Sequence, residues 1–290
     1  MTLLRRTFLT TASLSVLTLG VGCDDSAKRS EAAALAAVDA AMPLIERDTA
    51  QVRTGMPAGL PVLLKRMPDD PLGKRQELQE AIKAARGNVD DLAHAKSTFF
   101  SFASPDGVVL RSEIDPDRLV DQNIVTSYPD LAKALDPKAG LVEAYGPMDA
   151  LRGVKKGDDI AWVVALGVPG AEGGDGKPRG LFLTGWSMRL YARSIESQVR
   201  TKMTETSKEK GDKTVPLVYV YIVKGKGAYG DPDSPESNGA KLVEIDVIGK
   251  TAGGDFKTHM DIDGHVFGIA ARRCKAFGDD AAVAVVASVY

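Results

Sequence analysis

The sequence predicts an α+β protein in which long N-terminal helices are followed by two antiparallel sheet modules. Three observations carry this expectation. Between Glu31 and Lys96, apolar residues recur every three or four positions, the period of one helix face. From Ser97 the period shortens to that of strands, beginning with Phe99-Phe100-Ser101-Phe102. The order strand, glycine turn, strand, Asp-Pro-Asp then occurs twice, at Asp115-Pro116-Asp117 and Asp231-Pro232-Asp233.

The chain opens with Arg5-Arg6-Thr7-Phe8-Leu9, a short apolar stretch, and Val21-Gly22-Cys23. A positive end, about 7–15 apolar residues and a small-residue exit make an export signal, whereas a membrane span needs about 20 apolar residues. Thr10, Thr11, Ser13, Ser15 and Thr18 make this stretch a poor span. Phe8-Leu9, one residue beyond Arg5-Arg6, resembles a twin-arginine signal. Val21-Gly22-Cys23 resembles a lipoprotein signal, which implies that Cys23 carries lipid and begins the mature chain, although that family prefers Leu where Gly20 stands. Under the alternative, an ordinary signal peptidase cuts nearby and Cys23 is lost or stays a thiol. Both routes place the protein outside the cytoplasm, and Asp24 resembles an inner-membrane retention signal of enteric-type bacteria. The expected organisation is a signal peptide over 1–22 and a lipid-anchored linker over 23–30. Helices with a first module then fill 31–205, and a second, smaller module fills 206–290.

Removing residues 1–22 leaves 35 basic against 39 acidic side chains. With no basic excess and no long Lys/Arg run, nucleic acid is excluded as an expected partner. Of the two cysteines, Cys23 is assigned to lipid, so Cys274 has no intramolecular partner and reads as a small buried side chain in the strand Val266–Cys274.

Residues 24–30 are polar and read as a tether. Leu35, Val38, Met42 and Ile45 place the first helix from Glu31 to about Arg53, where Gly55, Pro57, Gly59, Pro61, Pro68 and Pro71 break the pattern. Leu78, Ile82 and Leu92 restart it over Lys74–Lys96, with Gly87-Asn88 as the point of interruption. Ser104-Pro105-Asp106-Gly107 is a hairpin turn between Phe99–Phe102 and Val108–Leu110. Asp115–Leu135 reads as turn and short helices. Leu141–Tyr145, Ile160–Val168 and Leu181–Trp186 are three more strands, the last two joined by the exposed loop Gly170–Arg179. Helical spacing returns at Met188, Tyr191 and Ile195 and fades into the charged segment Lys202–Lys213. Leu217–Val223, a Lys224–Gly227 turn and Ala228-Tyr229 then repeat the first strand pair. After the apolar segment Leu242–Ile248, the strands Phe256–Ile262, His265–Arg273 and Ala281–Val289 close the second unit.

Two strands, a helical crossover and three strands, behind N-terminal helices, resemble the Cache family of extracytoplasmic sensor domains, relatives of the PAS fold. The resemblance is carried by Phe99–Leu110 with its Asp106-Gly107 turn, Asp115-Pro116-Asp117-Arg118-Leu119-Val120, Tyr128–Leu135, and Ile160–Pro169 followed by Gly180–Leu190. It covers residues 31–205 well and the rest more weakly, as the second module of a double-Cache arrangement. It implies binding of an amino acid, amine or carboxylate. The chain carries no kinase or chemoreceptor domain after the sensor, so an envelope or signalling partner would have to read occupancy.

Small-ligand sites are mostly apolar with a few placed polar groups, and a PAS-like sheet offers its face between the central strands and the crossover helices. Tyr128, Tyr145, Arg152, Trp162, Thr184 and Trp186 are the candidates on that argument, with Arg152 suited to a ligand carboxylate. No catalytic set or cofactor motif is present. Gly225-x-Gly227-x-x-Gly230 enters Asp231-Pro232 rather than a helix and is a turn. His94 reads as a solvated helix position, and Asp158-Asp159 and Asp279-Asp280 as solvated turns. His259, Asp261, Asp263 and His265 alternate as metal ligands would, but Asp263-Gly264 is a hairpin turn that breaks the row, leaving the two histidines to meet across it. The sequence thus favours a non-enzymatic, lipid-anchored sensor. The alternatives are an envelope assembly lipoprotein presenting a protein-binding surface, and a metal-dependent hydrolase built on His259–His265.

Overall fold

The computed structural model describes residues 21–147, 159–170, 177–211 and 214–289, with side chains from Asp25 onward. The twin-arginine residues Arg5, Arg6, Phe8 and Leu9, the Cys23 side chain and Arg152 lie outside that description. Helix α1 (Val21–Arg66) is continuous over 46 residues, which corrects the expected helix at both ends. At its start the expected tether is docked: Ala27 and Ser30 are buried, Ser26 Oγ donates to the Val289 carbonyl, and Val289 N donates to Ser30 Oγ at 3.1 Å. From Val52 the one-face spacing continues past Arg53 through Met56, Leu63 and Met67, all buried. A proline inside a helix costs about 3 kcal/mol. Burying a large apolar side chain returns about 1.5–3 kcal/mol, enough for this row to carry the helix through Pro57 and Pro61. Gly55 and Gly59 are packing notches rather than breakers, since a Cβ at either would stand 2.6 or 2.7 Å from the Leu92 side chain.

Helices α2 (Arg75–Gly87) and α3 (Asp90–His94) separate at the expected interruption. The first sheet contains β1 (Phe99–Ala103), β2 (Val109–Ser112), β3 (Leu141–Gly146), β4 (Ala161–Val168) and β5 (Gly180–Ser187), antiparallel in the order β2-β1-β5-β4-β3. Between β2 and β3 the chain crosses one face through α4 (Ile124–Ser127) and a 3-10 turn, Pro129–Leu135. Helix α5 (Met188–Lys210) leads onward and does not fade at Lys202; Gly211, at φ 73°, ends it in a left-handed cap. The second sheet repeats the first: β6 (Leu217–Lys224), β7 (Gly227–Gly230), β8 (Phe256–Ile262), β9 (His265–Arg273) and β10 (Ala281–Ser288) stand in the order β7-β6-β10-β9-β8. Its crossover is α6 (Glu236–Glu244) and α7 (Val247–Lys250), so the segment Leu242–Ile248 is largely helical.

Each sheet alternates between two cores, as period-2 side chains require. One face of each turns to α1 and α5, and these faces merge into one core containing Phe100, Trp162, Trp186, Val220, Val283 and Val285. The opposite faces pack on their own crossovers: Phe99, Val163 and Leu183 against Ile124, Tyr128 and Leu131 in the first module, and Ile269, Ala284 and Val286 against Leu242 and Val247 in the second. Among the described residues no helix is long and apolar enough to cross a membrane.

Candidate functional site

Strand register separates the sequence-derived candidates into two groups. Tyr145 pairs with Trp162 across β3 and β4, and Trp162 with Trp186 across β4 and β5, so the three share one row. Thr184 lies on the same face, beside Phe100 and Val164, and its hydroxyl donates to the Phe99 carbonyl at 2.8 Å. That face meets α1 rather than the crossover. Trp162 and Trp186 are core residues with ring centroids 4.4 Å apart, and Trp162 Nε1 donates to Glu143, which is also held by Arg53 at 2.6 Å. The Lys224 ammonium from the second module stands 4.1 Å above the Tyr145 ring. Desolvation is the main cause raising the Tyr145 phenol above its ordinary value. Among the described candidates only Tyr128 lies on the crossover side, with its hydroxyl on the Gly146 carbonyl at 3.0 Å.

Most of the crossover face is filled by Tyr128, Ile124 and Leu131. It opens at one end into a cavity of about 290 Å³ between β1, β2, the loop Ile114–Leu119 and Leu190 of α5. Small-molecule pockets occupy about 300–1,000 Å³, so this one suits a ligand of few heavy atoms. Phe99, Leu119 and Leu190 supply apolar wall, and Ser112, Asp115 and Arg118 supply polar groups. Asp117 fixes the loop: its carboxylate accepts from Ser112 N at 2.5 Å, Leu119 N at 3.0 Å and Val120 N at 3.2 Å. Asp115 accepts from Gln79 and Arg111, at 2.9 and 2.6 Å, and these bonds hold its carboxyl below the usual range. The Arg118 guanidinium carries no hydrogen bond or ion pair among the described residues. An anionic and a cationic group on an apolar floor together match a small zwitterion. Sequence reasoning quoted Asp115–Val120 for the resemblance and missed it as lining; the signal was polar residues of both signs directly after the second strand.

Asp159 corrects the solvated-turn expectation. It is buried and accepts from Ser187, from Ile160 N at 2.8 Å and from Arg189 N at 3.2 Å. It therefore helps to start α5, where Ser187 caps Leu190 N. Asp280 is exposed and paired with Lys224, and Asp158, the neighbour of Asp159, lies outside the described residues. Cys274 falls one residue past β9, and burial pushes its thiol up to about 11. The chain reverses at Asp263-Gly264, both at positive φ. The expectation that His259 and His265 meet across this turn is corrected by register, since His259 faces Gly268 and His265 faces Ile262. His259 instead meets Glu31 of α1 at 2.5 Å. Among the described residues no three metal-ligating side chains cluster.

Two solved structures share this architecture over almost the whole chain. A domain of a sensory box/GGDEF family protein from Vibrio parahaemolyticus superposes with a TM-score of 0.54 at 10% identity, covering 91% of this chain and 97% of that one. The extracellular domain of the histidine kinase rpHK1S-Z16 superposes at 0.51 and 13% identity, covering 93% and 97%. The fold is a two-module Cache-like α+β fold. At these identities the likeness of the double-Cache-like chain to its neighbours concerns fold alone. No protein-family model matches the sequence, and no curated protein matches it.

Proposed function

We propose that this double-Cache-like protein is an exported, lipid-anchored, non-enzymatic binder of a small extracytoplasmic molecule whose occupancy is read by a partner protein. The observation that carries the reading is the cavity beside the crossover of the first sheet, where Asp115 and Arg118 flank apolar walls. An amino acid fits that pairing, its ammonium toward Asp115 and its carboxylate toward Arg118. Tyr128 lies on the same face but outside this cavity's lining, where it ties the crossover to Gly146 of β3, and Arg152 remains a proposed carboxylate partner. Tyr145, Trp162, Thr184 and Trp186 would support the sheet from behind.

A lipid on Cys23 would hold the second module nearest the membrane, because the start of α1 docks on Val289 and on β9. Ligand contacts on the crossover loop can then reach α1 through Gln79 of α2, whose amide bonds both Asp115 and the Glu113 carbonyl. The filled remainder of the crossover face favours a second reading, an assembly lipoprotein that presents a surface to other envelope proteins.

A thermal-shift screen of the full-length chain against amino acids, amines, carboxylates and nucleobases separates the two. A ligand at 100 times its Kd adds about 2.7 kcal/mol of stability. The sensor reading expects a zwitterionic hit that is abolished by Arg118→Gln and by Asp115→Asn. Silence across all classes, or a hit indifferent to both substitutions, would move the assignment to the assembly role.

A further inference from the structure

A second cavity, of about 430 Å³, lies on the other side of the first sheet, between the α3–β1 connection and the first turns of α5. Trp186, Tyr191 and Leu190 form its apolar side, while Arg86 and Lys96 bring positive charge, and no acidic residue lines it. Two buried polar atoms on lining residues, Trp186 Nε1 and Ser97 Oγ, have no hydrogen-bond partner. Trp186 is only 1% exposed, so its unpaired N–H is a buried donor of the kind that costs about 1–3 kcal/mol if left unmet. The contrast with Trp162, whose N–H is taken by Glu143 at 2.8 Å, marks Trp186 as the exception. The other polar groups here are engaged: Thr98 Oγ1 donates to the Gly185 carbonyl, Tyr191 donates to Asp48, and Arg86 pairs with Glu113. Lys96 has no ion pair among the described residues.

We propose that this cavity binds a small organic carboxylate, which accepts hydrogen bonds from Trp186 and Ser97 in the positive field of Lys96. An acceptor is what two orphaned donors require, and an anion is what an acid-free, basic lining selects. A free amino acid would bring its ammonium into the same basic field, so an organic acid without a cationic group is the better occupant. This cavity shares Thr98 and Leu190 with the one beside Asp115 and Arg118, but neither of those two charged residues lines it.

Titration of the full-length chain with succinate, succinamide and alanine tests the assignment. Trp162 and Trp186 are the only tryptophans, so intrinsic fluorescence reports locally and calorimetry supplies the Kd. Saturable binding of succinate is expected, with no binding of succinamide and weaker binding of alanine. Ser97→Ala and Lys96→Gln should each weaken succinate at least tenfold, about 1.4 kcal/mol, while Arg118→Gln leaves it unchanged. Trp186→Phe should do the same as Ser97→Ala; if it fails to fold, the half-buried Ser97 and exposed Lys96 variants decide alone. The inference is overturned if succinate does not bind, if succinamide or alanine binds as well as succinate, or if the Ser97 and Lys96 variants bind it normally.

Discussion

Asp159 shows how one buried carboxyl can govern a stretch of structure. Desolvation lifts its pKa above the ordinary 3.8, against the opposing bonds from Ser187, Arg189 N and Ile160 N. Between the unfolded and the folded value, the folded chain keeps a proton that the unfolded chain has released. Rising pH through that window therefore removes stability, and above the folded value the loss is complete. Asp159→Asn abolishes this titration. The stability margin of the wild type over the variant should be largest below pH 3.8 and shrink as pH rises through the window. Urea unfolding of both proteins across about pH 3–7 measures it, and a margin that is flat or grows with pH would refute the assignment. The sequence could not disclose this, because Asp159 stands among residues typical of a turn and only the return of β5 to Ser187 buries it.

At the scale of elements, α1 and β9 approach so closely that a side chain is excluded between them. A Cβ on Gly268 would stand 2.1 Å from the Ser30 carbonyl carbon and 2.2 Å from Glu31 N, both backbone atoms that cannot swing aside. Gly268→Ala should destabilise the protein by about 2–3 kcal/mol, whereas Gly253→Ala, with open space around its Cβ, should be nearly neutral. Urea midpoints compare them directly, and equal midpoints would mean that α1 is not fixed on β9. Strand positions were legible because period 2 is a local signal: β1, β3, β4, β5, β6, β8, β9 and β10 begin and end within about two residues of where alternation and turn glycines put them. The length of α1 was not, because Pro57, Pro61, Gly55 and Gly59 are local breakers whose cost is met by contacts distant in sequence. The apolar row Val52, Met56, Leu63 already pointed through them. Candidate site residues fared similarly. Chemistry singled out the aromatics, but strand parity, which decides the face, required knowing which neighbours each strand would take.

Across the whole molecule, the two sheets share one core, and Phe277 is where the second module reaches into the first. Its ring stands edge-on to Trp162, Trp186 and Tyr191 at 6.0, 6.4 and 6.0 Å, while α1 lies along both sheets. A perturbation in either module must therefore be felt by the other, which is the mechanical condition for occupancy in the first module to alter the position of α1 on the second. Phe277→Ala should cost about 3–5 kcal/mol. Both tryptophans belong to the first sheet, so their fluorescence reads that module, whereas far-UV circular dichroism reads the helices and strands of both. If the core is shared, the two signals should trace one transition in the wild type and one, equally shifted, in the variant. A fluorescence transition that stays in place while circular dichroism moves would show two modules unfolding independently, and a signal generated in one would then have no packed route to the other.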